Sequence, residues 1–214
     1  MPAIAPIIIS SAVEGLVDEA VVKRLIVEAG GAIGPIYGKR GKSLLRQRVN
    51  GYNSAARHHP WIVLVDLNRE ADCPPPLKEI WVPNPGPFMC FRIAVREIEA
   101  WLLADRERFA SFFRVRLSAV PAEPELLDDP KEAVIELSRR SRSRDIRLDM
   151  VPRPGSGRKI GPAYVSRLIE FASNPQRGWR PGRAARSSNS LSCSLTRIRE
   201  LVNRGRKGGY GQDS

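Results

Sequence analysis

The sequence predicts an α/β fold: a mostly parallel sheet flanked by helices, followed by a helical, basic C-terminal part. Three observations carry this. The apolar run Ile7-Ile8-Ile9 to Val13 has strand character and ends in Glu14, and helical spacing begins almost at once, with Val21, Val22, Leu25, Ile26 and Ala29 on one face. A second run, Trp61 to Val65, is apolar without a break and ends in Asp66, as in a parallel strand covered on both faces. The third observation is charge. The chain carries a net +12, and residues 151–214 hold 13 Lys/Arg against 3 Asp/Glu. The preceding two-thirds is therefore close to neutral.

Taken in order, the first strand is expected over about 3–13 and the first helix over about 18–29, closed by Gly30-Gly31. A Gly-rich, basic stretch from Gly34 to Lys42 leads to a second helix, about 43–56, with Leu44, Leu45, Val49, Tyr52 and Ala56 inward. After the strand at 61–66, three prolines interrupt the chain, and 77–82 reads as a short helix or strand. Phe88 to Ile93 suits another strand, and a helix starts near Val95 with Ile98, Trp101 and Leu102 on one face. Asp105 would fall on that apolar face if the helix continued. The helix therefore breaks there, and Asp105 is expected to cap a segment carrying Phe109, Phe112 and Phe113. Helices follow at 130–140, 162–172 and 190–202, separated by an arginine-rich stretch (139–147), a Pro/Gly/Ser-rich loop (151–159) and a basic loop (174–189).

Composition narrows the class. A chain of 214 residues with 42% hydrophobic content supports one sizeable core. No apolar run reaches membrane-spanning length, so no membrane association is expected. The N-terminus has no signal-peptide pattern, and three scattered cysteines (Cys73, Cys90, Cys193) fit neither a disulfide framework nor a metal cluster. A cytoplasmic location is the expectation. A basic surface of this asymmetry suits a polyanion such as nucleic acid.

Two parallel strands that each end in an acid bring those acids to one edge, where open α/β sheets bind ligands. Glu14, Asp18 and Asp66 form this group, with Asn68 two residues beyond Asp66. Oxygen donors of this kind suit Mg²⁺ or Mn²⁺, which bind through one or two carboxylates plus waters and substrate phosphate. The plainer reading of each acid alone is a helix cap. Lys39, Arg40 and Lys42 form a basic loop that either contacts phosphates or is simply solvated. It is not a P-loop, because Ile36 stands where a glycine is required. Arg177, Arg180, Arg183 and Arg186 surround Trp179, which either stacks on a base or anchors the loop to the core. His58-His59 reads as a loop feature, and Cys193 as a small core residue.

The chain also resembles a known family. Val13-Glu14-Gly15-x-x-Asp18-Glu19 and Val65-Asp66-Leu67-Asn68 are similar to the two acidic motifs of the TOPRIM domain in its OLD-type nuclease form. Arg96-Glu97-Ile98-Glu99-Ala100-Trp101-Leu102-Leu103-Ala104-Asp105, Asp129-Pro130-Lys131, Gly161-Pro162-Ala163-Tyr164 and Ser190-Leu191 resemble motifs of a bacterial family of unknown function related to those nucleases. The matching stretch runs from about 7 to 201. The resemblance implies a TOPRIM-like (Rossmann-like) core over 1–105 with a helical basic part packed on it over 106–204; the tail over 205–214 is expected from its own sequence to be disordered. The resemblance also implies a Mg²⁺-dependent phosphodiester-cleaving enzyme acting on DNA or RNA, in phage defence or a mobile element; an effector that needs a partner ATPase for activity is a third reading compatible with it. Glu14 would be metal ligand or general base, and Asp18 and Asp66 metal ligands. Glu99 either faces the site, with a catalytic role, or belongs to an ordinary solvated face. One departure stands out: the pattern has an aspartate where this chain has Asn68, whose amide supplies no charge. Asn68 would then be a supporting ligand, and Glu70 or Asp72 could make up the deficit. A catalytically weakened nucleic-acid- or partner-binding module that has lost its metal site is the alternative.

Overall fold

The computed structural model describes residues 5–68 and 74–207. Four strands, β1 (Ile8–Val13), β2 (Ala32–Gly38), β3 (Trp61–Asp66) and β4 (Met89–Ala94), form one parallel sheet in the order β2-β1-β3-β4. Between them run α1 (Leu16–Glu28), α2 (Lys42–Ala55) and α3 (Pro74–Trp81). Ile9, Val13, Ile62 and Leu64 face α1, while Ala12, Val63, Val65 and Phe91 face α2 and α3. The chain moves one way along the sheet through α1 and back through α2 and α3, so the helix changes face when the direction reverses. A single hand of crossover demands this. Among the described residues no helix is long and apolar enough to cross a membrane.

The expected α/β class holds, and the sheet is wholly parallel. Both acid-ended strands are present; β3 keeps its expected bounds, whereas β1 begins at Ile8 and not near Ala3. β2 replaces the expected Gly-rich loop. Its turn-like residues have local uses: the register slips by one residue across Gly34-Pro35, opposite Ile9 to Ser11. A proline is tolerated there because β2 is an edge strand. Gly38 has φ +88°, and a Cβ on it would sit 2.2 Å from the Val13 carbonyl oxygen. Only glycine fits.

Past β4 come α4 (Ile98–Leu103), α5 (Arg106–Phe112), two single 3-10 turns, α6 (Pro130–Arg139), α7 (Arg144–Met150), α8 (Tyr164–Ser173), α9 (Pro181–Ala184) and α10 (Asn189–Lys207). The stretch read only as arginine-rich therefore contains α7, capped by the Ser143 hydroxyl. The tail expected from 205 gives its first three residues to α10, where Gly205 packs on Ile7. Residues 208–214, and also Glu70, Asp72 and Cys73, lie outside the described residues. Cys193 is exposed, not a core residue, while Cys90 is buried.

The C-terminal helices share one apolar core with the α1 face of the sheet. Three contacts tie α4 and its C-terminal end to the segment before α9 and to α10. Trp179 is fully buried, and its Nε1–H donates to the Trp101 carbonyl at 2.9 Å, so it anchors the loop rather than offering a stacking face. The Trp101 Nε1–H donates in turn to Ser190 Oγ at 2.7 Å. The helix does break at Asp105, but the carboxylate makes no cap bond. It accepts instead from the Arg180 backbone N–H and Nε, both at 2.9 Å, and from Nη2 at 2.6 Å. Arg180 is thus a structural tie, held also by Glu107, and is removed from the nucleic-acid set. Asp105→Ala would remove the buried carboxylate of this pair and leave the Arg180 guanidinium to Glu107 alone, a loss of about 2 kcal/mol for charged hydrogen bonds. The urea midpoint should drop accordingly at unchanged slope; a loss below about 1 kcal/mol would show that the tie carries little.

Candidate functional site

β1 and β3 are neighbours whose following loops diverge to opposite edges of the sheet. Such a switch point opens a crevice beyond the strand ends. Glu14 is the first residue past β1, and its Oε1 accepts the backbone N–H of Asp66, the last residue of β3, at 2.8 Å. The loop after β2 folds over the same place. Lys39 N–H donates to the Val13 carbonyl at 2.9 Å, and Gly41 N–H to the Glu14 carbonyl at 3.0 Å. Lys42, the first residue of α2, reaches the Asp66 carbonyl with its ammonium. Asp18 lies in the first turn of α1 and is only 6% exposed.

Glu99 completes the group from the first turn of α4, and it is 3% exposed. The even choice between a solvated face and the site is thereby settled in favour of burial. Its Oε1 accepts from the Tyr164 hydroxyl at 3.0 Å and lies 3.7 Å from Lys131 Nζ. Lys131 also approaches Glu97 Oε1 at 3.3 Å, and its backbone N–H donates to Glu97 Oε2 at 3.1 Å. Asp129 caps α6 through the Glu132 N–H and Pro130 takes its first position, which sets Lys131 at this spot.

The electrostatics are those of acids in excess. Burial raises the Asp18 carboxyl to about 6, with the Glu14 charge adding to it. Burial, then Asp18, Glu99 and Glu14, push Asp66 well above the usual carboxylate range. Glu99 rises to about 7 through burial, although Lys131 opposes the shift. Burial disfavours the Lys131 ammonium, yet Glu99, Glu97 and Asp66 more than offset it and hold its pKa above the ordinary lysine value. Three carboxylate oxygens in this neighbourhood are buried and accept no hydrogen bond: Asp18 Oδ1, Asp66 Oδ1 and Glu99 Oε2. Such orphans are rare, because each costs about 1–3 kcal/mol. Donors composed only of oxygen, lacking hydrogen-bond partners and facing like charge, fit a hard cation. Among the described residues, however, no three His, Cys, Asp or Glu side chains are already spaced to grip one ion.

The remaining expected residues divide. Asn68 has φ +52°, a left-handed conformation that asparagine tolerates well. Its backbone N–H donates to the Arg96 carbonyl at 2.7 Å, joining the two loops beyond β3 and β4. Lys39 pairs with Glu19 at 3.1 Å, and Arg40 is exposed. Arg177, Arg183 and Arg186 are exposed around α9, and the last two line a separate cavity of about 280 Å³ beside Asp105 and Arg106. Lys131 and Tyr164 had no chemical role assigned from sequence. Their motifs were visible, but their partner Glu99 lies 32 and 65 residues away. His59 faces Trp61, whose Nε1–H it accepts. No family model, curated protein or solved structure matches the chain.

Stability should depend on pH through these acids. Below about pH 4 both folded and unfolded chains hold the protons, and no penalty arises. Between there and about 7 the unfolded chain ionises while the native state retains its protons at Asp18 and Glu99. Native stability from these groups therefore falls as pH rises through that window. In EDTA, the melting temperature should be lower at pH 8 than at pH 5.5, and Asp66→Asn should flatten the difference. A melting temperature that climbs over this range would contradict the burial of excess charge.

Proposed function

We propose that the protein is a divalent-metal-dependent enzyme of phosphodiester chemistry, a nuclease acting on nucleic acid. The observation that carries this reading is the set of buried, unpartnered carboxylate oxygens at the β1/β3 switch point. Glu14, Asp18 and Asp66 would hold Mg²⁺ or Mn²⁺. When bound, that ion supplies Lewis-acid polarisation of a phosphoryl oxygen and offsets the charge developing on it.

The chain's own residues divide the remaining work. The Asp66 N–H fixes one oxygen of Glu14, so the side chain is oriented before any ligand arrives. Glu99, clamped by Tyr164 and Lys131, is the group that takes or returns a proton. Lys131 and Lys42 place positive charge beside the acids, where a phosphate needs it. Lys39 and Arg40 on the loop that roofs β1, with Lys42 at the start of α2, mark a natural path for the polynucleotide backbone. The likeness of the acidic motifs to TOPRIM nucleases supports the same chemistry.

Cleavage of DNA or RNA should require Mn²⁺ or Mg²⁺ and fall at least about 100-fold in Glu14→Gln and Asp66→Asn, since even indirect partners of metal ligands cost 10–100-fold. Full activity in both variants would reject the assignment. A second reading is favoured by the absence of ligating spacing among the described acids: a binding module without turnover. It predicts salt-dependent binding and no rise in melting temperature with Mn²⁺. A native-state metal ligand raises it instead.

A further inference from the structure

A cavity of about 390 Å³ lies between the edge strand β2 and α2, lined by Ile36 to Arg40, Leu44, Leu45, Arg48 and Tyr52. Its size is that of a small-ligand site. No carboxylate lines it, whereas three cations do. Lys39 is engaged by Glu19, but exposed Arg40 and Arg48 make no hydrogen bond or ion pair with any described residue.

The apolar wall is aromatic and layered. Tyr37 is 45% exposed and stacks on Trp61 at 5.5 Å, with the planes 25° apart. Tyr52 stacks on the same indole at 5.1 Å. Trp61 thus backs both rings, leaving Tyr37 rigid with an open surface. Rigid rings lose little entropy on binding. Tyr52 is 9% exposed, yet its buried hydroxyl has no hydrogen-bond partner. A buried donor left unpaired beside an open cavity calls for an acceptor from outside the fold.

The loop that closes this cavity, Gly38 to Gly41, is the same one whose N–H groups hold the Val13 and Glu14 carbonyls. A ligand in the cavity therefore lies one loop away from the acidic site. We propose that this cavity is a subsite for an unpaired nucleobase, with Tyr37 as the stacking platform, Tyr52 as hydrogen-bond donor, and Arg40 and Arg48 on the flanking phosphates. The substrate class is then single-stranded nucleic acid. This deepens the nuclease reading above and rests on it.

Binding in EDTA tests the subsite without any need for turnover. The probes are a fluorescein-labelled oligothymidylate dodecamer, its oligouridylate counterpart, an abasic chain with the same phosphates, and a blunt duplex of equal length. The wild type should bind the base-bearing single strands more tightly than the abasic chain or the duplex, and the stronger of the two distinguishes DNA from RNA. Tyr37→Ala should weaken that binding about tenfold or more, with little change for the abasic chain, since one stacked base is worth about 1–3 kcal/mol. Tyr37→Phe keeps the ring and should bind within about twofold of wild type. Arg48→Ala, on the surface, should reduce the salt slope by about 0.7. Equal affinity for the abasic and base-bearing chains, or no loss in Tyr37→Ala, overturns the subsite. Tyr37-dependent binding without metal-dependent cleavage overturns the nuclease reading alone. Cleavage indifferent to Tyr37→Ala overturns the subsite and leaves the nuclease.

Discussion

The cost of placing several carboxylates together in a partly dry crevice is the constraint on which the site depends. Glu14, Asp18, Asp66 and Glu99 converge from β1, α1, β3 and α4, and the ammonium of Lys131 is the main counter-charge named by their electrostatics. Like charges in low dielectric repel, and each acid also loses water. An amide in place of any one of them would relieve part of that cost. The excess charge is what the proposed metal ion would offset.

The rest of the architecture keeps that arrangement in place. β1 and β3 pair in parallel as far as Val13 and Leu64, which brings Glu14, just past β1, to the end of β3, and the Glu14 to Asp66 N–H bond removes one degree of freedom. The C-terminal helices do more than cover the sheet. α6 brings Lys131 and α8 brings Tyr164, so Glu99 is positioned by residues from that part. The Trp101, Trp179 and Asp105–Arg180 contacts fasten α4, which carries Glu99, to the segment before α9. In this sense the two parts of the chain make a single site.

What the sequence disclosed follows from the range of each interaction. The ends of β1 and β3 were legible because an apolar run stopped by an acid is a local pattern. β2 was not, since Gly34, Pro35 and Gly38 signal a turn, and their use in a bulged edge strand depends on Ile9 and Val13 next door. Glu99 could not be resolved by helical spacing, because Tyr164, 65 residues on, settles it. Arg180 looked like one more cation of a basic loop until Asp105, 75 residues earlier, claimed it. Asn68 read as a lost aspartate. The backbone supplies another reason for it, a left-handed turn at φ +52°.

The most direct test is anomalous diffraction at the manganese edge from crystals soaked in Mn²⁺ at pH 8. The account predicts a peak in the crevice at the β1 and β3 ends, bound by oxygens of Asp18, Asp66 and Glu14. Density confined to other surfaces, with these carboxylates bonded among themselves as protonated pairs, would contradict it.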